Sequence, residues 1–191
     1  MVIKLQTLLI DNYDSFTYNI VHYLELNNAK VDVVLNDEIP FDKVLRYDKV
    51  ILSPGPGLPN SSGDLMLFIE KFHTHIPMLG ICLGFQAIVQ WFGGDLINQT
   101  EVKHGVAEQC FFQNQTTLFK DVPQNFQVGL YHSWCANSST FPKELKITAK
   151  SKHNVIMAFE HQKLPIYGVQ FHPESIITEN GLKIINNFLL S

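Results

Sequence analysis

Of the three cysteines and eight histidines in this chain, one cysteine is singled out by its neighbours. Cys82 lies at the centre of Gly80-Ile81-Cys82-Leu83-Gly84. An apolar run over 78–81 precedes it and a helical pattern over 83–92 follows, so the cysteine sits where a buried strand turns into a helix. This is the form of the G-x-S-x-G nucleophile elbow with sulfur in place of oxygen. Such a turn strains the nucleophile's backbone and leaves no room for side chains two residues before and two after. The helix that starts at once directs its positive end at the sulfur and favours a reactive thiolate. The Leu83 N–H, at the same helix start, can donate to a developing oxyanion. A lone cysteine is more often a small buried core residue. Here the flanking glycines and the strand-to-helix position reverse that preference.

A thiol nucleophile needs a base. Gln170-Phe171-His172-Pro173-Glu174 places His172 at the end of another apolar run, over 166–171, with Glu174 two residues on. Residues two apart in extended chain face the same way, so the carboxylate can accept from the imidazole and fix its tautomer. Taken alone, a solvent-exposed His-Pro turn with an incidental Glu is an equal reading. Beside the cysteine elbow, the triad of Cys82, His172 and Glu174 is favoured. Pro54-Gly55-Pro56-Gly57 follows a third apolar run, over 49–53, and its N–H groups could bind an oxyanion or an amide. Ligands of open α/β sheets gather at the carboxyl ends of strands, which would put all three segments at one edge. The loop is neither a G-x-G-x-x-G nor a Walker sequence, so a nucleotide site finds no support. His73 with His75, and His104 with His132, lack a third ligand at useful spacing, and no metal site is expected. Tyr13, Phe16 and Tyr18 read equally as interface or core.

The elements that must position these groups are legible as periodicity. Strands are expected over 5–10, 31–35, 49–53, 78–81 and 166–171. A helix should start at Asp14 or Ser15, both good N-caps, and run through Phe16, Ile20, Tyr23 and Leu24. Leu65, Ile69 and Phe72 mark a second helix. The third, over 83–92, stops at Gly93-Gly94. The last, over 180–190, is amphipathic on Leu182, Ile185 and Leu189. Between about 95 and 158 short β-like segments appear, as at 107–112 and 126–130. The whole reads as one α/β domain over 1–191: an open, mostly parallel, flavodoxin-like sheet with helices on both faces and a small antiparallel excursion.

Composition sets the outer bounds. At 46% hydrophobic, 17% charged and 12% aromatic, the 191 residues can bury a sizeable core. A net charge of -4 argues against nucleic acid or an anionic membrane as the main partner. No apolar stretch approaches a membrane span. Lys4 and Gln6 interrupt the opening residues and no small-residue cleavage site follows, so no signal peptide is expected. The cysteines form neither a disulfide framework nor a CxxC pair, which fits a reducing cytoplasm.

Gly80-Ile81-Cys82-Leu83-Gly84, Ser53-Pro54-Gly55-Pro56-Gly57, Tyr131-His132-Ser133-Trp134 and Val169-Gln170-Phe171-His172-Pro173-Glu174-Ser175 together resemble the class I, triad-type glutamine amidotransferases. Asp11-Asn12-Tyr13-Asp14-Ser15-Phe16-Thr17-Tyr18-Asn19 is similar to the glutaminase subunits of anthranilate synthase and aminodeoxychorismate synthase. The likeness spans essentially the whole chain. It implies that Cys82 attacks the carboxamide of L-glutamine, His172 shuttles the proton and Glu174 orients His172. It further implies an oxyanion hole from the N–H groups of Gly55 and Leu83, and glutamine held by Gly55, Pro56, Gly57, Gln86, Ser133 and Trp134. Ammonia would pass to a chorismate-converting partner chain, with no cofactor in this subunit. The segment Val128-Gly129-Leu130-Tyr131-His132-Ser133-Trp134 leans toward anthranilate synthase and tryptophan biosynthesis. Aminodeoxychorismate synthase in folate biosynthesis, a stand-alone γ-glutamyl cysteine hydrolase and a non-catalytic flavodoxin-like module are the alternatives. One departure is visible: Phe85 stands where the family usually has His.

Overall fold

The computed structural model describes residues 4–99, 103–112 and 116–191. Along the chain come β1 (Gln6–Asp11), α1 (Thr17–Leu26), β2 (Lys30–Leu35), β3 (Lys49–Leu52), α2 (Leu65–Phe72), β4 (Met78–Ile81) and α3 (Leu83–Trp91). Then follow β5 (Leu96–Asn98), β6 (Val106–Phe112), β7 (Asn125–Leu130), β8 (Trp134–Ala136), β9 (Leu145–Ser151), β10 (Ile156–His161), β11 (Ile166–Val169) and α4 (Gly181–Leu189).

The short apolar runs become strands because both of their faces are covered. Period-two alternation sends Leu9, Ile51, Leu79 and Ile81 into one layer with Ile20 and Leu24 of α1 and Ile184, Ile185 and Phe188 of α4. Leu8, Ile10, Val50, Leu52 and Met78 enter the opposite layer with Leu65, Phe68 and Ile69 of α2 and Ile88 of α3. Each fully buried side chain of this size contributes roughly 1.5–3 kcal/mol.

Strands β2-β1-β3-β4-β11 are parallel neighbours. The antiparallel excursion is present, and four of its strands extend the same sheet as β10-β9-β6-β7, making nine strands. A separate ribbon pairs β5 with β8. The register decides where the chemistry goes. Leu52 pairs with Gly80 and Ile81 with Val169, so the chain leaves β3, β4 and β11 side by side at one edge. Ile10 pairs with Leu52, which brings Asp11 and Asn12 to the same place.

Three local expectations change. Neither Asp14 nor Ser15 caps α1; Phe16 occupies the N-cap, without a side-chain capping bond. The Asp14 carboxylate instead accepts the Phe16 N–H at 2.8 Å, and Asp11 Oδ1 accepts from Thr17 Oγ1 at 2.7 Å and from the Asp14 N–H at 3.1 Å. These local bonds hold a turn where a helix would otherwise begin. Leu182 lies off the buried face of α4, which Ile184, Ile185, Phe188 and Leu189 supply. Finally, β11 ends at Val169, and Gln170 and Phe171 continue as buried chain, the Gln170 N–H donating to the Met157 carbonyl at 2.8 Å.

Candidate active site

Cys82 adopts φ +50° and ψ −99° between β4 and α3. This region is all but closed to residues with a Cβ and costs on the order of 1–3 kcal/mol. Two backbone bonds hold the turn: the Cys82 N–H donates to the Val169 carbonyl at 2.8 Å, and the Cys82 carbonyl accepts from the Gln86 N–H at 3.0 Å. The two glycines are required by space. A Cβ on Gly80 would lie 2.5 Å from the Gly84 carbonyl, and one on Gly84 would lie 2.6 Å from Leu52 Cβ and closer still to the Leu52 carbonyl oxygen.

His172 and Glu174 are both buried, and His172 Nδ1 is 2.7 Å from Glu174 Oε1. With the proton on Nδ1 donated to the carboxylate, Nε2 is left for the thiol. Nε2 has no hydrogen-bond partner among the described residues. Burial pulls the imidazole pKa down, but the neighbouring Cys82 charge, followed by the Glu174 bond and charge, more than offsets it. The outcome is an imidazole held well above its ordinary pKa, as a thiolate–imidazolium pair requires. The other cysteines lack this setting. Burial alone pushes the Cys110 thiol up to about 12 and also raises that of Cys135.

Gly55 and Leu83 lie against each other: a Cβ built on Gly55 would be 2.9 Å from Leu83 Cδ2. Neither N–H donates to an acceptor among the described residues, so both remain for an incoming oxygen. A cavity of about 430 Å³ opens here, lined by residues 13–16 and 54–56 with Cys82, His104, Tyr131 and His172. Its size falls in the range of small-molecule sites.

The remaining expected residues do not line this cavity. Gln86 is buried, and its Nε2 donates to the Trp134 carbonyl at 2.8 Å and to Gln170 Oε1 at 3.2 Å. That tie joins α3 to the Ser133–Trp134 segment. Gly57, at φ +76°, is exposed at the end of the Pro54 loop.

Sequence reasoning missed two aromatic walls of the base. The Tyr131 ring lies 4.8 Å from the His172 ring, and Phe16 meets it edge-on at 5.8 Å. Tyr131 also bonds Ser175 Oγ through its hydroxyl at 2.9 Å. Their signal was present, since both occupy the motifs that carry the family resemblance. Tyr13 and Tyr18 are instead mostly exposed. Phe85 points away from the chemistry: it is fully buried, with its ring 5.0 Å from that of Phe159. Among the described residues no three potential metal ligands cluster, and no helix is long and apolar enough to cross a membrane.

Comparison with known proteins supplies the family. The family model for class I glutamine amidotransferases matches residues 8–191. Anthranilate synthase component 2 of Azospirillum brasilense is 44% identical over 95% of this chain and 94% of that protein. The protein of the same name from Methanocaldococcus jannaschii is 45% identical over 97% of each. Among solved structures, a Thermoplasma acidophilum protein assigned to GMP synthase superposes with a TM-score of 0.88 at 25% identity, covering 99% of this chain and 94% of that one.

Proposed function

The chain belongs to the class I glutamine amidotransferases, and on that premise we propose that it is the glutaminase subunit of an anthranilate synthase. The observation that carries the chemistry is the strained Cys82 elbow facing the His172–Glu174 pair, bonded at 2.7 Å. Cys82 attacks the side-chain carboxamide carbon of glutamine, and the carbonyl π pair moves onto oxygen between the Gly55 and Leu83 N–H groups. Collapse of the tetrahedral species breaks the C–N bond, and His172 gives its proton to the departing ammonia. A water that returns its proton to His172 then cleaves the γ-glutamyl thioester, releasing glutamate and restoring the thiol. Glu174 keeps the imidazole in the tautomer that both steps need.

Gly55 and Pro56 line the cavity, and Gly57 from the loop, Gln86 from α3 and Ser133 and Trp134 at the start of β8 support the substrate from beside it. The ammonia passes to a chorismate-converting synthase chain that makes anthranilate for tryptophan. The names of the relatives support this assignment over aminodeoxychorismate synthase. In this reading the subunit works in the cytoplasm and uses no metal or organic cofactor, so dialysis against a chelator should leave glutamine hydrolysis intact.

The test is Cys82→Ala in the assembled complex. Glutamine-dependent synthesis should fall by about three orders of magnitude or more while synthesis from ammonium salts survives. Loss of both activities would show that the chain does more than supply nitrogen.

A further inference from the structure

The two N–H groups of the oxyanion hole come from different places, and one must be held by something other than a helix. Gly55 sits in a loop, and the residue it rests on is Asn12, 43 positions away in sequence. A Cβ on Gly55 would fall 2.5 Å from Asn12 Cβ and 2.6 Å from the Asn12 carbonyl oxygen. Asn12 is 2% exposed and spends every polar group of its side chain on this corner. Its Nδ2 donates to the Ser53 carbonyl at 2.8 Å, and its backbone N–H donates to Ser53 Oγ, also at 2.8 Å. Its Oδ1 accepts from Asn36 Nδ2 at 3.0 Å. Ser53 Oγ in turn donates to the Pro54 carbonyl, at 2.6 Å. That carbonyl belongs to the peptide whose N–H is that of Gly55, so the network fixes the plane of the peptide that presents the donor.

We propose that Asn12 is a positioning residue for the oxyanion hole, orienting the Gly55 N–H through Ser53 and the Pro54–Gly55 peptide. The inference rests on the glutaminase reading and adds a residue that touches neither substrate nor triad. Its physical basis is that a preorganised donor helps only when aimed at the developing oxygen. A loop peptide without side-chain anchors can rotate about its flanking dihedrals. Asn12 lies at the end of β1, beside β3, where a single side chain can bond the chain leaving the neighbouring strand.

Two electrophiles separate this role from a general loosening of the site. A γ-glutamyl aldehyde takes the Cys82 sulfur at its carbonyl carbon: the S–C bond forms and the π pair moves onto oxygen, which occupies the oxyanion hole. Iodoacetamide alkylates the same sulfur by displacing iodide and develops no oxyanion. Both are measured on the full chain, as wild type, Asn12→Ala and Ser53→Ala. Each variant should lose about tenfold or more in aldehyde affinity while its Cys82 alkylation rate stays within about twofold of wild type. Ser53→Ala removes one hydroxyl and reads the same peptide should Asn12→Ala fail to fold. Unchanged aldehyde affinity, or alkylation slowed in proportion, would overturn the role of Asn12 and leave the glutaminase reading standing. A wild-type Cys82 that alkylates yet never captures the aldehyde would instead remove the premise, and the role of Asn12 with it.

Discussion

The elbow after β4 and the loop after β3 each supply one N–H to the proposed oxyanion hole, yet they are held by different means. At the elbow the constraints are backbone bonds and excluded volume. Gly80 packs on the Gly84 carbonyl, Gly84 on the Leu52 chain, and the Cys82 peptide is bonded to β11. In the loop, Pro56 and Gly57 are exposed, and the anchoring comes from the side chains of Asn12, Ser53 and Asn36. A site half made of backbone is complete once the sheet has formed. The half that depends on side-chain bonds has softer restoring forces and can be set by a neighbour.

Glycine substitution breaks the comparison most sharply. Gly84→Ala should destabilise by about 3 kcal/mol or more, because its Cβ meets backbone that cannot move without shifting β3 against α3. Glutamine turnover should fall with it, by about three orders of magnitude, since the nucleophile and Leu83 ride on the same turn. Gly57→Ala meets only Ser61 Oγ at 3.6 Å, so its cost is confined to the left-handed backbone, about 1–2 kcal/mol. Thermal melts and glutaminase assays of both variants check the contrast; equal losses would contradict it.

The thiols provide the next measure. At pH 7.5 iodoacetamide should label Cys82 at least about a hundredfold faster than Cys110 or Cys135. Cys110 is fully buried with its thiol pKa pushed up to about 12, whereas Cys82 lies beside the His172 imidazole, whose pKa is held well above its ordinary value. Peptide mapping with comparable labelling at all three would place the reactivity elsewhere than the elbow.

The same division explains what the sequence made legible. Gly80-Ile81-Cys82-Leu83-Gly84 is readable because its constraints act across two residues, and His172 and Glu174 because they too are two apart. The parallel strands were visible as apolar runs, and their parallel pairing followed from the alternation of strands with helices. Asn12 was not visible as a partner of Ser53, because the bond spans 41 residues and depends on β1 lying beside β3. The Tyr131 and Phe16 walls were equally non-local. The start of α1 was misplaced for the opposite reason: Asp11 and Asp14 bond locally in a turn that competes with capping. The short β-like segments over 107–112 and 126–130 suggested an antiparallel excursion but carried no information that they would extend the main sheet.

Acid bears on a third segment, since neither half is held by a titrating side chain whereas the Tyr131–Trp134 segment contains His132. Its Nδ1 bonds the Trp134 carbonyl at 2.9 Å, and Nε2 is buried without a partner among the described residues. Burial, helped by the nearby His172 and Lys103 charges and opposed by the Trp134 bond, holds its pKa down at about 4. The unfolded chain takes up this proton near pH 6.5. Between those values the unfolded state binds a proton that the folded state refuses. The stability contributed by neutral His132 is therefore complete above about pH 6.5 and drains as pH falls toward 4, by about 2 kcal/mol at pH 5. His132→Gln should flatten urea-denaturation stability across that window. An unchanged slope would assign the acid sensitivity to other groups.

The smallest expected effect bears on the loop most directly. Ammonia released without an acceptor is lost, so hydrolysis coupled to an occupied synthase is of use and hydrolysis by the lone chain is not. The elbow cannot be the point of control, because strain and excluded volume fix it whether or not a partner is bound. The Pro54–Gly55 peptide can be, because its orientation rests on Asn12, and Asn12 is followed directly by Tyr13 at φ +61° and 56% exposed, on the rim of the cavity. A partner that packs on Tyr13 bears on the residue next to the anchor. One missing oxyanion donor costs about two to three orders of magnitude, so even partial misalignment is enough for a lowered basal state. Glutamine turnover should accordingly rise at least about tenfold when the cognate synthase and chorismate are added, a coupling of roughly 1.4 kcal/mol. Tyr13→Ala should reduce that activation while leaving the alkylation rate of Cys82 unchanged. Full turnover by the isolated chain would mean that the loop is as rigid as the elbow, and that the contrast between them has no functional consequence.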